Sequence, residues 1–306
     1  MTYTASPGVL ANLIVSPEDY KTRAQVQYSF SFETANALYA FGDMAIIVPS
    51  ELEVDESALA FTPSVGISLT NIITLSWDET TRTITINNAF EQAVSAPTFV
   101  AFTIDSGLQN AYSVEPITPI TVQTLDPEGH IVDQGYSEAI TFTANEINAI
   151  EATACADKQT SSTTEEVCTY QLKFLIGAQY SIESDSMIEI ELPEDLVIPD
   201  RTVTQDDSYT DGIADLTADF GTSFDNRIVF VGGAFLASSA PNGENWSQDS
   251  FSVYVAGILT PRSTAPTLSF KAKIKTASGF VQYKKEQGVY SSVYQAKDFT
   301  NVGIHR

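Results

Sequence analysis

A chain of 306 residues, 43% apolar and 18% charged, has enough apolar surface for about two ordinary folded domains and too little charge for a disordered polymer. Fifteen Lys and Arg stand against 39 Asp and Glu, a net charge of −24. That balance excludes nucleic acid and anionic membranes as partners, because both are held by cationic groups.

No apolar run reaches the roughly 20 residues of a membrane-spanning helix. The start, MTYTASPGVLANLIVSP, has neither the basic flank nor the long apolar stretch of a secretory signal. The chain is therefore either cytosolic or numbered from a processed end, and the cysteines below favour the second. Downstream come VQYSFSF (26–32), MAIIVPSEL (44–52), ITLSWDETTRTITINNAF (73–90) and FVAFTI (99–104). Apolar and polar residues alternate with the period of two that marks half-buried strands, cleanly in VQYSFSF and, further on, in MIEIEL (187–192). Turn formers such as DETTR, DSGLQN and DPEG separate the runs, and no window shows a convincing 3.6-residue apolar period. Trp77 shares a strand face with Ile73 and Leu75 and reads as core. His130 follows the DPEG turn and His305 is the penultimate residue. Neither accompanies a nucleophile or phosphate-loop motif, so the residues point away from an enzyme.

The string TFTANE at 141–146 restates TYTASP at 2–7. From there the whole order repeats. Tyr28 falls on Tyr170, Phe32 on Phe174, Pro49 on Pro193 and Trp77 on Phe220, and FVAFTI falls on FSVYVA (251–256). This is a tandem duplication: a first repeat over 1–135, a second over 136–292, and a C-terminal strand over 293–306. About seven short strands per copy fit two antiparallel β-sandwiches of Ig-like size, making the chain all-β. FTNVGI (299–304) echoes the segment ahead of each copy. Thr2, Tyr3 and Thr4 at one end and Phe299, Thr300 and Ile304 at the other are thus expected to act as inter-unit strands. Either they pair with a sheet edge of another copy, or the chain is part of a longer array. A frayed terminus is the plain alternative.

Tyr28-Ser-Phe30-Ser-Phe32 followed by Met44-Ala-Ile46-Ile-Val48-Pro49 resembles the repeated β-sandwich units of large ciliate-type protist surface proteins. The second copy keeps the phrase as Tyr170-Gln-Leu172-Lys-Phe174 and Ile188-Glu-Ile190-Glu-Leu192-Pro193. Both copies have Val48 or Leu192 where that pattern places Phe before Pro. The resemblance implies an extracellular structural or adhesive role and brings no catalytic residues with it.

Cys155 and Cys168 enclose the polar stretch ADKQTSSTTEEV. A disulfide between them would staple neighbouring strands and contribute roughly 3 kcal/mol; two reduced, buried thiols are the other reading. The sequon Asn245-Trp246-Ser247 makes Asn245 a glycosylation site in a secreted chain. Trp246 stands in a polar loop found only in the second copy, as a ligand contact for a partner or glycan, or as a ring folded over a sandwich end. Asp207, Asp211 and Asp215 offer oxygens to calcium. Ala218 at the twelfth position and Tyr209 in place of the middle acid rule out an EF-hand, leaving a looser calcium site or a plain acidic loop. Glu115, Asp126, Glu128 and Asp133 are a second candidate set; no other cofactor is implied. The expected function is a non-enzymatic structural subunit of an extracellular filament or cell-surface coat, joined head to tail to copies of itself through terminal strands. The alternative is an extracellular adhesin or lectin-like module, calcium-dependent, that binds glycans.

Overall fold

The computed structural model describes residues 6–67, 73–155, 167–176, 182, 186–199, 209–211, 219–220, 228–232, 250–261 and 268–286. Its chain divides into two compact units, Met1–Thr143 and Ala144–Arg306.

In the first unit the alternation of YSFSFE turns Tyr28, Phe30 and Phe32 to one side of β3 (Tyr28–Glu33), where all three are buried. This strand lies in a four-stranded sheet ordered β2 (Ala11–Pro17), β3, β9 (Phe99–Ser106), β6 (Ala60–Val65). A six-stranded sheet runs β1 (Gly8–Val9), β12 (Ile131–Tyr136), β11 (Thr121–Leu125), β4 (Met44–Ile47), β8 (Thr83–Asn87), β7 (Thr74–Asp78). Phe30, Phe32, Val100 and Phe102 from one sheet share a single core with Met44, Ile46, Ile84, Ile86 and Val122 from the other. Two inner faces closed on one core make a sandwich. Among the described strands of this unit, neighbours run antiparallel apart from β1, which lies parallel to β12.

The first unit also carries a two-stranded ladder of β5 (Glu53–Val54) and β10 (Leu108–Gln109), without a counterpart among the described residues of the second. The two main sheets of the second unit repeat the order of the first strand for strand. Its larger sheet is β13 (Asn145–Glu146), β22 (Val281–Lys285), β21 (Lys271–Lys275), β16 (Met187–Glu191), β19 (Ile228–Gly232), β18 (Asp219–Phe220). The smaller is β14 (Ala149–Thr153), β15 (Val167–Leu175), β20 (Ser250–Leu259), β17 (Tyr209–Asp211). Again the parallel pair joins the first and last strands of the larger sheet, β13 and β22. Even the hairpins correspond. Asp126 N donates to His130 O and Thr276 N to Phe280 O, at 3.0 and 2.8 Å. Gly129 and Gly279 sit at φ +84° and +88° in those turns, a region that glycine enters without steric cost. The chain is all-β, of the Ig-like sandwich kind.

Ladder registers correct three details of the sequence alignment. Phe32 pairs with Val100 and its equivalent Phe174 with Phe251, an offset of 151, whereas laying FVAFTI on FSVYVA gives 152. One residue of slip flips every side chain to the other face: Phe99 is 48% exposed, Phe251 only 2%. Phe220 pairs with Val231 and so takes the place of Leu75, not of Trp77. Trp77 is half-buried, packed on the core's margin with the Arg82 guanidinium 5.5 Å from its ring. Finally, the N–H groups of Leu10 and Ile147 donate to Gln134 O and Lys284 O, both at 3.0 Å. These two residues are equivalent at an offset of 137, while TYTASP and TFTANE lie 139 apart.

The last correction reassigns the segment between the repeats. Ile140 and Phe142 are buried in the first unit's core. Thr143 N donates to Tyr20 O, and Thr22 N donates to Thr143 O. Residues 136–143, read from sequence as the start of the second repeat, thus close the first one. The second unit opens with Asn145-Glu-Ile147, whose isoleucine belongs to the second core.

Candidate functional site

The feature that both units share, and that a bare sandwich does not require, is the slot where a short opening strand lies along the last strand. In unit 1 the slot is built around a carboxylate. Asp133 faces Gly8 across the parallel pair and is fully buried. Its Oδ1 accepts from Asn36 Nδ2 at 2.8 Å and its Oδ2 from the Asn36 backbone N–H at 3.2 Å, while its own N–H donates to Thr124 Oγ1 at 3.1 Å. A Cβ at position 8 would stand 2.0 Å from Asp133 Oδ1 and 2.3 Å from Asn36 Nδ2. Glycine is therefore the residue this slot admits. Leu10, two residues on, is buried, and Gly135 leaves room for it: a Cβ there would lie 2.8 Å from Leu10 Cβ. The equivalent slot in unit 2 sets Asn145 opposite Tyr283, with Ile274 where unit 1 has Thr124. Both Tyr283 and Ile274 are fully buried.

Polar anchors hold the loop that follows β2, at the end of that strand away from the slot. Tyr28 Oη donates to Asn110 Oδ1 at 2.5 Å, and Asn110 Nδ2 donates to the carbonyls of Asp19 and Lys21, both at 2.8 Å. Burial raises the Tyr28 phenol well above its usual range, with the neighbouring Tyr20 adding to the effect. The Arg23 side chain is 7% exposed, with its guanidinium 2.9 Å from Glu53 Oε2 and 3.8 Å from the Tyr112 ring centre. Burial pushes the Glu51 carboxyl up, but hydrogen bonds from the Thr118 N–H and hydroxyl outweigh it and leave the group below its ordinary value.

Among the residues expected to matter, Cys155 and Cys168 are joined in a disulfide, their Cα atoms 4.8 Å apart and both side chains buried. Asp211 ends β17 opposite Ser252. Thr2, Tyr3, Thr4, Asp207, Asp215, Asn245, Trp246, Phe299, Thr300 and Ile304 lie outside the described residues. Of the second calcium set, Asp126 and Glu128 come together with His130, their ligand atoms within 4.8 Å of one another. Asp133 is instead committed to Asn36. Asp126 serves its own turn. Its Oδ1 accepts from His130 N at 2.8 Å and Glu128 N at 3.0 Å, and its Oδ2 lies 3.0 Å from His130 Nδ1. The His130 N–H, ahead of the other contacts, holds this carboxyl below the usual carboxylate value.

One surface went unnoticed in the sequence. On the outer face of the second unit's larger sheet, Lys271 Nζ lies 3.0 Å from Glu191 Oε1, and Glu189 serves both Lys273 at 3.6 Å and Lys275 at 2.5 Å. Lys284, opposite Lys273 on the next strand, lies 3.5 Å from Glu286. A groove of about 310 Å³ runs between Glu189, Glu191, Lys271, Lys273 and Glu286. The signal was present in the alternation KAKIK and in the pair Lys284-Lys285.

No family model and no curated protein matches the chain, so the likeness to ciliate surface repeats has no support beyond its own residues. Solved structures align with the chain only weakly. The C-terminal domain of the Streptococcus pyogenes antigen I/II-family protein AspA superposes at a TM-score of 0.29 with 7% identity, covering 94% of this chain and 100% of that one. The collagen adhesin of S. aureus gives 0.26 with 10% identity over 94% and 95%. The major pilin subunit of Bacillus cereus gives 0.33 with 7% identity over 91% and 62%. At these scores the likeness carries no inference about topology or activity. The fold rests on this chain's own strand order.

Proposed function

We propose that the chain is a non-enzymatic, extracellular structural protein built by stringing sandwich units in series, as part of a filament or cell-surface coat. One observation carries this reading: two units whose main sheets share one strand order among the described residues, each opened by a short strand laid parallel to the last strand of its larger sheet. Such a unit begins where the previous one ends. Only four residues separate Phe142, in the first core, from Ile147, in the second. The same phrase recurs as FTNVGI at 299–304, with Phe299 and Thr300 in the places of Phe142 and Thr143 and Ile304 in the place of Ile147. On this reading the tail closes the second unit and supplies the start of a further one. That start belongs either to the same chain or to another copy. Unit 1's slot is already filled by Gly8 and Leu10, so a tail arriving from another copy must displace them. The disulfide suits an oxidising, extracellular setting, and the acidic surface keeps such units soluble.

Electron microscopy of native material tests the proposal. Regular filaments or a patterned coat with sandwich-sized beads support it. Dispersed two-bead particles at every concentration contradict it.

A further inference from the structure

We propose that the lysine-bearing outer face of β21 and β22 is the surface through which one copy of this chain meets the acidic first unit of another, an inference that rests on the serial reading above. At a net charge of −24, copies repel one another, and a contact between them needs a region of opposite sign. Five of the chain's fifteen basic residues fall between Lys271 and Lys285, on two adjacent strands of one sheet. Ala272 and Ile274 are buried, which turns Lys271, Lys273 and Lys275 outward as a row about 13 Å long at the strand's ordinary rise. With Lys284 and Lys285 beside them, five ammonium groups stand against the four carboxylates of Glu146, Glu189, Glu191 and Glu286. The face is locally positive on a strongly negative molecule.

The fold does not demand this arrangement. Gln123 and Gln134 stand where unit 2 has Lys273 and Lys284, and Ala45 stands where it has Glu189. Unit 1 offers the complementary sign. It holds three Lys and Arg against seventeen Asp and Glu, a net −14, and unit 2 holds the remaining twelve and twenty-two, a net −10. Two of the three are already committed. Arg23 is buried against Glu53, and Arg82 donates to the carbonyls of Val48, Pro49 and Leu52. A contact between unlike faces of two copies is heterologous, so it propagates head to tail instead of closing into a symmetric pair. Charge complementarity of this kind acts chiefly on encounter and orientation and weakens with salt.

Analytical ultracentrifugation of the full chain tests the assignment at about 0.1 M and about 1 M salt, where the screening length is roughly 10 Å and 3 Å. The lower salt already damps the long-range repulsion between two acidic copies and leaves close charge pairs in force. Self-association is expected at low salt and is lost at high salt. The Lys271→Gln/Lys273→Gln/Lys275→Gln variant is expected to associate about tenfold more weakly at low salt, the loss of three exposed charge pairs. Lys173→Gln, on the other sheet opposite Ser252, should associate like the parent. Association that survives the triple substitution, or falls equally with Lys173→Gln, overturns the lysine face and leaves the serial reading standing. Association that persists undiminished at high salt overturns it too, even where the triple variant fails to fold. A parent chain that stays monomeric at low salt yet binds a sulfated polysaccharide overturns the choice of a second copy as partner.

Discussion

The opening strands of the two units share one backbone arrangement and use two different side-chain solutions. In unit 2 the last strand presents Tyr283 beside Ile274, a mainly apolar pair that gains from burial itself. In unit 1 the same rungs carry Asp133 and Thr124, and a buried carboxylate is costly unless its hydrogen bonds are made. Asn36 supplies two of them from one residue, and bringing Asn36 that close leaves no space for a Cβ at position 8. The topology tolerates either filling. The polar one, however, makes unit 1 selective about which strand opens it, where unit 2 accepts Asn145.

The comparison can be broken most sharply at Phe142. Phe142→Ala should cost unit 1 about 3–5 kcal/mol and leave unit 2 unchanged, because this ring belongs to the first core alone. Differential scanning calorimetry would show one transition moving and one standing still. Replacing both cysteines with serine should do the reverse, removing about 3 kcal/mol from unit 2, whose disulfide spans a sequence separation of 13. Gly8→Val should cost unit 1 about 1–3 kcal/mol through overpacking. In an Asp133→Ala background the same substitution should cost measurably less, and strict additivity in that double-mutant cycle would refute a slot keyed by Asp133. The smallest effect is expected at the hairpin turns. Asp126 has a folded-state value below the ordinary one. Its contribution is therefore full above the unfolded value of about 4 and is lost as pH falls through the folded value. Amide resonances of Glu128 and His130 should titrate there, and Asp126→Asn should abolish the step. In unit 2 the corresponding bond comes from Thr276 Oγ1, which accepts from Phe280 N–H at 3.1 Å, so that turn should show no acid step.

Much of this was legible in the sequence wherever alternation was strong. VQYSFSF and VCTYQLKFL bury every second residue along β3 and β15, and Pro49 and Pro193 begin matching turns, each accepting from the leucine three residues on. Legibility failed where resemblance of letters and burial diverged. TYTASP and TFTANE look alike because both are small and polar, but register is set by which residue must be buried, and that puts Leu10 on Ile147. FVAFTI and FSVYVA fail in the same way, since a leading Phe is exposed in one and buried in the other. Asp133, taken from the sequence as a candidate calcium ligand, is instead buried structure, and only the distant Asn36 reveals it. The lysine row escaped because alternating lysines resemble any solvated strand face; its distinction is its rarity in so acidic a chain.

The account turns on the segment around Phe142 closing one self-contained sandwich, and Asn145–Ile147 opening a second of the same design. Hydrogen exchange on the full chain measures this directly, because Leu10 and Ile147 amides report the two opening strands through their bonds to Gln134 and Lys284. In Phe142→Ala, exchange at Leu10 and along β3 should accelerate while Ile147 and β15 keep the parent's rates. Equal acceleration at both amides, or unprotected Leu10 and Ile147 in the parent, would contradict it.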